Sequence, residues 1–403
     1  MNKLFRLTAS SQTELTKKLT NSLSEPDRSP ELISAAYQTS FLYQDRADRN
    51  EKTERYISQS TGIKSAKKNI CYLFTGQGSQ YPGMGRTLYE TLPQIKRLFD
   101  EYTNYLSSLN GKDYLTGLIE DHEQIHQTEF TQPSIVMLQL ALTNIWNESH
   151  VKADYYIGHS VGEFSACAAN RVYDEKTTLK IIAKRAQLMQ STPVDGAMIA
   201  IAASESTILT LMQSSQIDLD FAAFNAPKQT VLSGSKCEID RMKSICSNAN
   251  IRAKVLTVSH PFHSRLMTPM LDSFHNYCQA ISHQDSKQQK DSGTIIGNVS
   301  GEKLTVPQTA DYWCNHIVQP VKFSQSIQTA YEAGCRVFLE IGPDAVLAQL
   351  TKKILADKDD IVIVSSMKRS KCVKETMIDC ALAMDNAGVP INWEILSTLL
   401  NTS

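Results

Sequence analysis

From residue 69 onward, short continuous apolar runs alternate with longer stretches whose apolar positions recur every three to four residues. NICYLFT (69–75), YYIG (155–158), TIIGNV (294–299), RVFLEIG (336–342) and IVIVSS (361–366) are the continuous runs. They fit strands buried on both faces, as in a parallel sheet. Helical patterns such as TQPSIVMLQLALTNIWNES and VKFSQSIQTAYEAGC lie between them. This alternation predicts an α/β fold around a parallel sheet.

Residues 198–259 break the rhythm. The stretch reads as strand (MIAIAA), helix (SESTILTLMQSS), strand (LDFAAFN), strand (TVLSG), helix (KCEIDRMKSICSNA) and strand (AKVLTVS). The order βαββαβ predicts a ferredoxin-like subdomain inserted into the larger one.

The first 66 residues read as a small α/β unit of their own. LFRLTA is a strand, and the capping box Ser11-x-x-Glu14 opens a helix with Leu15, Leu19 and Leu23 on one face. A second helix is expected from Ser29-Pro30, carrying Leu32, Ile33, Ala36 and Tyr37. The polar stretch DRADRNEKTERYISQSTGIKSAKK then reads as a linker or a solvated helix. The expected division is 1–66 for the N-terminal unit, 67–196 with 260–356 for the large subdomain, 197–259 for the small one and 357–403 for a C-terminal segment.

Composition narrows the classes. The chain has 403 residues, 41% hydrophobic and 21% charged, with a formal net charge of -1. Nothing in that balance points to nucleic acid or an anionic membrane. No run is long enough to span a bilayer, and MNKLFRLTASSQTELTKK lacks the apolar centre of a signal peptide. Nine cysteines without C-x-x-C spacing argue against zinc and against a disulfide framework. A cytoplasmic enzyme is the expectation.

Candidate chemistry sits at Gly158-His159-Ser160-Val161-Gly162, a G-x-S-x-G match between a predicted strand and a predicted helix. A strand turning sharply into a helix strains the serine backbone and leaves no room for side chains two residues either side. It lifts the hydroxyl to a helix N-terminus, where peptide dipoles favour an oxyanion. The pentapeptide by itself also fits a plain packing turn. His260 and His263, in SHPFHSRLM, lie where the chain returns from the inserted subdomain, at the cleft a ligand would favour. Either is a candidate base or a structural hydrogen-bonder. His159, at the strand end, is placed to face away from the serine. The glycines of FTGQGSQ suit a loop that brings backbone N–H groups to an oxyanion; no G-K-[ST] follows, so a phosphate loop is a poor fit.

FTGQGSQYPGMG, TQPSI, GHSVGE, RAQLMQ, NAPKQTVLSG, SHPFHSRLM, NVSG, QPVKF and FLEIGP occur in one order between Cys71 and Pro343. In that order they resemble the malonyl-CoA:acyl-carrier-protein transacylases, and more closely the acyltransferase domains of modular polyketide synthases. The N-terminal LFRLTASSQTELTKKL and ISAAYQTSFLYQDRADR resemble the linker between ketosynthase and acyltransferase, shortened so that part of its small sheet is expected to be missing. AMDNAGVPINWEIL resembles the segment after the acyltransferase. The chain itself carries no ketosynthase or carrier protein, so a discrete acyltransferase or a piece of a larger synthase is implied.

The resemblance implies an α/β-hydrolase-like large subdomain and a set of roles. Ser160 would be acylated and His263 would be its base, oriented by a backbone carbonyl at about His316. The amides of Gln77 and Val161 would form the oxyanion hole. Arg185 would grip the free carboxylate of a malonyl-type unit, a pairing that bidentate geometry favours. Without the resemblance Arg185 reads as a solvated helix arginine. Gln132 and His159 would line the substrate site, and Phe262 and Val161 point to malonyl over methylmalonyl. Malonyl-CoA would be co-substrate with no bound cofactor or metal, and a phosphopantetheinylated acyl carrier protein, with a ketosynthase or synthase module, would be the partner. One departure stands out: His260-Pro261-Phe262-His263 replaces the usual H-A-F-H. Proline stiffens that loop, so substituted malonyl units, including ones delivered on a carrier protein, stay open. Two other readings remain at this point, a hydrolase that clears acyl groups from carrier proteins and a non-catalytic docking scaffold.

Overall fold

The computed structural model describes residues 3–9, 11–24, 37–43, 45–59, 63–64, 68–193, 195–258, 260–282, 293–305 and 308–401. Three sheets organise them. The first is antiparallel, with strands β1 (Lys3–Ala9), β2 (Tyr37–Tyr43) and β3 (Ile63–Lys64). Ser11 caps the following helix by accepting the Glu14 amide, as its box predicts, and Leu15 and Leu19 are buried beneath it. The sequence pattern missed both β2 and β3, the latter lying in the stretch read as a linker or a solvated helix. Tyr37 was expected on a helix, but it opens a strand that pairs Tyr37 with Ala9 and stacks Phe41 on Phe5 at 4.7 Å. The run YQTSFLY is rich in strand-favouring residues and finds a partner in β1, so propensity and pairing agree. The rest of that expected helix lies outside the described residues. The polar stretch after β2 contains the helix Arg46–Gln59. A buried ion pair, Arg6 Nε to Asp385 Oδ2 at 3.0 Å, ties β1 to the helix Val373–Asn386.

The main sheet is wholly parallel: β4 (Asn69–Phe74), β5 (Tyr155–Gly158), β10 (Thr294–Ile296), β11 (Cys335–Ile341) and β12 (Val362–Ser365), in the order β10-β5-β4-β11-β12. Its strands are the apolar runs, and the helix Thr128–Glu148 packs along it, buried over most of its length. β12 lies past the boundary expected at 357 and pairs with β11, so the main sheet takes its last strand from the C-terminal segment. β10 stops at Ile296, earlier than TIIGNV suggests, and leaves Asn298 in a loop. No described helix is long and apolar enough to cross a membrane.

The inserted stretch is an antiparallel sheet of β6 (Gly196–Ile201), β7 (Asp220–Ala226), β8 (Gln229–Ser235) and β9 (Ala253–Val255), in the order β7-β8-β6-β9. With the helices Glu205–Ser215 and Lys236–Asn248 this is the expected βαββαβ unit. Ile199, Ile201, Leu232, Ile208, Ile239 and Met242 form its core. Strand alternation turns Met198 and Ala200 to the opposite face, toward the large subdomain. There the helix Leu347–Ile354 packs against β7. Glu340 of β11 fixes the start of that helix: its buried carboxylate accepts the amides of Val346, Leu347 and Ala348 at 2.9, 2.8 and 2.7 Å. Orphan N–H groups at a helix start are thereby satisfied.

Candidate active site

Ser160 stands between β5 and the helix Gly162–Ala169, with φ at +50°. The flanking glycines are sterically required. A Cβ on Gly158 would sit 2.0 Å from the Glu163 nitrogen, and one on Gly162 would sit 2.2 Å from the Phe74 carbonyl oxygen. The strained turn is clamped from a third segment. The Asn298 side chain accepts the Ser160 amide at 2.6 Å and donates to the Gly158 carbonyl at 2.6 Å. Asn298 is itself held by Glu163, whose carboxylate accepts its amide at 2.9 Å and also accepts the Tyr312 hydroxyl. Buried polar groups satisfied in a chain of this kind fix one geometry. Neither Asn298 nor Glu163 had a role assigned from the sequence; the only signal was their presence in NVSG and GHSVGE.

His263, just past the point where the chain returns from the small subdomain, meets Ser160 with Nε2 2.7 Å from Oγ. Its Nδ1 is 3.0 Å from the Gln319 carbonyl oxygen. With Nδ1 protonated and donating to that carbonyl, Nε2 is left free to accept the serine proton. The expectation of His316 as the orienting residue is therefore corrected by three positions. Gln319 is the first residue past the helix Ala310–Val318 and is extended, at φ −83° and ψ 153°, so its carbonyl turns out of the helix. His316 is still in the last helical turn, packed at 6.1 Å between ring centres from His263 and 3.5 Å from the Glu163 carboxylate.

Burial holds the His263 imidazole well below its ordinary value of 6.5, and the nearby His316, Arg185 and His159 push the same way. A base with a lowered value stays neutral, and thus competent, until the pH falls through that value. Acylation of Ser160 is expected to stay flat as the pH is lowered through 6.5, where an ordinary imidazole is half protonated. A pH–rate profile of the first half-reaction checks this; an acidic midpoint at or above 6.5 would contradict it.

A cavity of about 240 Å3 opens between the subdomains, and Ser160, His263, Gln77, Gln132, His159, Arg185 and Phe262 all line it. Met198, Val231, Leu256 and Leu347 supply much of its apolar wall. Arg185 is 1% exposed on the helix Glu175–Ser191, and its Nη1 donates to Gln132 Oε1 at 2.7 Å. Gln132 Nε2 in turn donates to Gln77 Oε1 at 3.1 Å, and Gln77 Nε2 to Thr128 Oγ1 at 3.1 Å. The Arg185 Nε has no hydrogen-bond partner, and no carboxylate pairs with the guanidinium among the described residues. Burial pushes its value down to about 9, which still leaves it charged near neutral pH. A charge buried without a counter-ion is costly, and an anionic ligand would remove that cost. The expectation of a solvated helix arginine is excluded.

The remaining expected residues fall as follows. The amides of Gln77 and Val161 have no hydrogen-bond partner among the described residues, while the Ser160 amide is taken by Asn298. That leaves Gln77 and Val161, not Ser160, free to serve an oxyanion. The Val161 side chain is fully buried in the large core and is not part of the cavity wall, so its expected part in substrate choice has no contact behind it. His159 points to the small subdomain, with Nε2 2.8 Å from Asn225 Oδ1.

The family model for the acyl transferase domain matches residues 71–389. The chain is 32% identical over 295 residues to the malonyl CoA-acyl carrier protein transacylase of Bacillus subtilis, across 71% of this chain and 90% of that one. It is 29% identical over 331 residues to the polyketide synthase GfsA of Streptomyces halstedii, of which it spans only 4%. The acyltransferase domain from the second module of the salinomycin polyketide synthase superposes with a TM-score of 0.77 at 25% identity, covering 98% of this chain and 85% of that one. A family model matched over most of the chain, and a transacylase relative matched over nearly its whole length, place the chain in the acyl transferase domain family, as an acyltransferase.

Proposed function

We propose that the chain transfers a malonyl-type unit from coenzyme A to the phosphopantetheine thiol of an acyl carrier protein, through an ester on Ser160, in the service of a polyketide synthase. The observation that carries this reading is the buried guanidinium of Arg185, without a carboxylate partner, in the same cavity as the Ser160–His263 contact. His263 Nε2 takes the serine proton as Oγ attacks the thioester carbon. The oxyanion accepts hydrogen bonds from the amides of Gln77 and Val161. The C–S bond breaks, His263 returns the proton to the departing thiolate, and the malonyl ester remains on Ser160. The carrier thiol then attacks that ester by the same steps in reverse.

Arg185 holds the malonyl carboxylate, with Gln132 setting the guanidinium plane. Phe262, buried at the cavity wall beside His263, crowds an α-methyl group and favours unsubstituted malonyl. The four-part division of the chain belongs to the same reading: the N-terminal unit, the large subdomain, the inserted small subdomain and a C-terminal segment. Intact-mass measurement after mixing with malonyl-CoA is expected to show a malonyl adduct that moves to a holo acyl carrier protein faster than to water. Discharge to water at the same rate with and without the carrier would favour the hydrolase instead.

A further inference from the structure

The small subdomain reaches both halves of the catalytic contact through one strand, β7. On the side of the base the link is made by backbone. The Val321 amide donates to the Ala222 carbonyl, and the Phe224 amide donates to the Val321 carbonyl, both at 2.9 Å. Val321 stands two residues past Gln319, whose carbonyl orients His263. Its neighbour Lys322 donates its amide to the Asn298 carbonyl at 2.9 Å, and the Asn298 side chain clamps Ser160. Residues 319–322 therefore join the base, the clamp on the nucleophile and the small sheet.

On the side of the nucleophile the link is a side chain. Asn225 Oδ1 on β7 is 2.8 Å from His159 Nε2. Burial holds the His159 imidazole below its ordinary value of 6.5, so near neutral pH the ring carries one proton. Facing a carbonyl oxygen, that proton is on Nε2, which donates to Asn225. His159 directly precedes Ser160, and its backbone is already committed to the turn. Its amide donates to the Phe74 carbonyl at 2.8 Å, and its carbonyl accepts the Gly162 amide at 3.0 Å.

The His159 ring also lies against the glycine loop. A Cβ on Gly76 would sit 2.7 Å from the His159 carbonyl oxygen and 3.0 Å from Nδ1. Gly76 precedes Gln77, and Val161 follows His159 by two residues. His159 thus stands between the two segments that carry the open amides of Gln77 and Val161. Phe323 packs on the ring from the large subdomain, at 5.7 Å between ring centres. Packing alone leaves a ring two orientations related by a flip. The bond to Asn225 selects one of them.

We propose that Asn225 is a positioning residue for the transfer: it holds the His159 ring between the serine turn and the Gly76–Gln77 loop, and so lets the seating of the small subdomain set the geometry at Ser160. This rests on the reading of Ser160 as the acylated nucleophile. Nucleophile and base then share one reference, because the same strand that carries Asn225 also holds the segment of Gln319.

Three substitutions test it. Asn225→Leu removes the acceptor at nearly constant volume, Asn225→Ala removes it with the bulk, and Asn225→Asp keeps it. The first two are expected to lower kcat for malonyl transfer about tenfold and to leave the KM for malonyl-CoA within about twofold, as for an interaction used in the transition state. Asn225→Asp is expected to stay within about threefold of the wild type. His159→Phe is expected to lower kcat as well, and adding Asn225→Leu to it is expected to cost little more, because the two side chains act as one unit. An unchanged kcat in both Asn225→Leu and Asn225→Ala overturns the proposal. So does a raised KM for malonyl-CoA at unchanged kcat, which would make Asn225 a contact of the substrate. So do losses that multiply in the double variant, or a fall in kcat confined to variants that melt early. If the wild type gains no malonyl adduct, the reading beneath the proposal fails, and that result differs from acylation with an unmoved kcat.

Discussion

Ser160→Ala is expected to lower kcat for malonyl transfer by about 10^4-fold or more and to leave no malonyl adduct in the intact mass. The size follows from what is removed and what stays. The nucleophile goes, while the oxyanion amides and the substrate cavity remain and keep a residual advantage over water. Folding is expected to survive, because alanine keeps the Cβ that the +50° φ already tolerates. The Asn298 clamp acts on backbone atoms, and His263 keeps its bond to the Gln319 carbonyl. A variant that melts with the wild type yet still gains one malonyl mass on the protein would remove Ser160 from the mechanism.

Arg185→Met is expected to lower kcat/KM for malonyl-CoA by about 100- to 1,000-fold, the loss of a buried charge-assisted pair of about 3–4 kcal/mol. Acetyl-CoA, which has no carboxylate, is expected to change little, so discrimination between the two collapses. Stability separates this from a structural role. A guanidinium that merely braced the fold would cost about 3–5 kcal/mol on removal. Here the guanidinium is buried with no carboxylate partner among the described residues, and its removal mainly strands Gln132 Oε1, worth about 1–3 kcal/mol. Relief of the buried charge offsets much of that. Equal losses on malonyl and acetyl thioesters would show that Arg185 does not read the carboxylate.

The elbow was legible in the sequence because its cause is local. Gly158 and Gly162 are demanded by backbone atoms within the same turn or on the adjoining strand. The small sheet was legible for a similar reason, since its alternation and its two helices follow in unbroken order. The clamp was not. Asn298 reaches Ser160 across 138 residues of chain, and no periodicity encodes that meeting. Nor was Gln319, because a carbonyl oxygen belongs to every residue and carries no mark of type. The resemblance put that carbonyl three residues early, at about His316. β2 was missed because the apolar positions just before it were read as one helical face that took in Tyr37, although YQTSFLY itself is rich in strand-favouring residues. Arg185 shows the limit from the other side: its residue type suggested solvent, and only the packing around its helix reveals a buried cation.

Six non-glycine residues among those described have positive φ: His150, Ser160, Arg171, Gln216, Asn250 and His263. Four of them follow directly on helix ends, where a left-handed residue closes the last turn. Ser160 and His263, at +50° and +55°, do not. The two groups in chemical contact are thus the two held in a disfavoured conformation without a helix end to explain it, at a cost of about 1 kcal/mol or more each. Glycine at either position would relieve that strain. At Ser160, whose side chain is small, a laboratory selection for heat resistance alone would therefore drift toward glycine and deliver a sturdier, silent protein, whereas at His263 the lost burial and the lost bond to the Gln319 carbonyl outweigh the relief. Selection for this chain as a thermostable catalyst has to score turnover in every round.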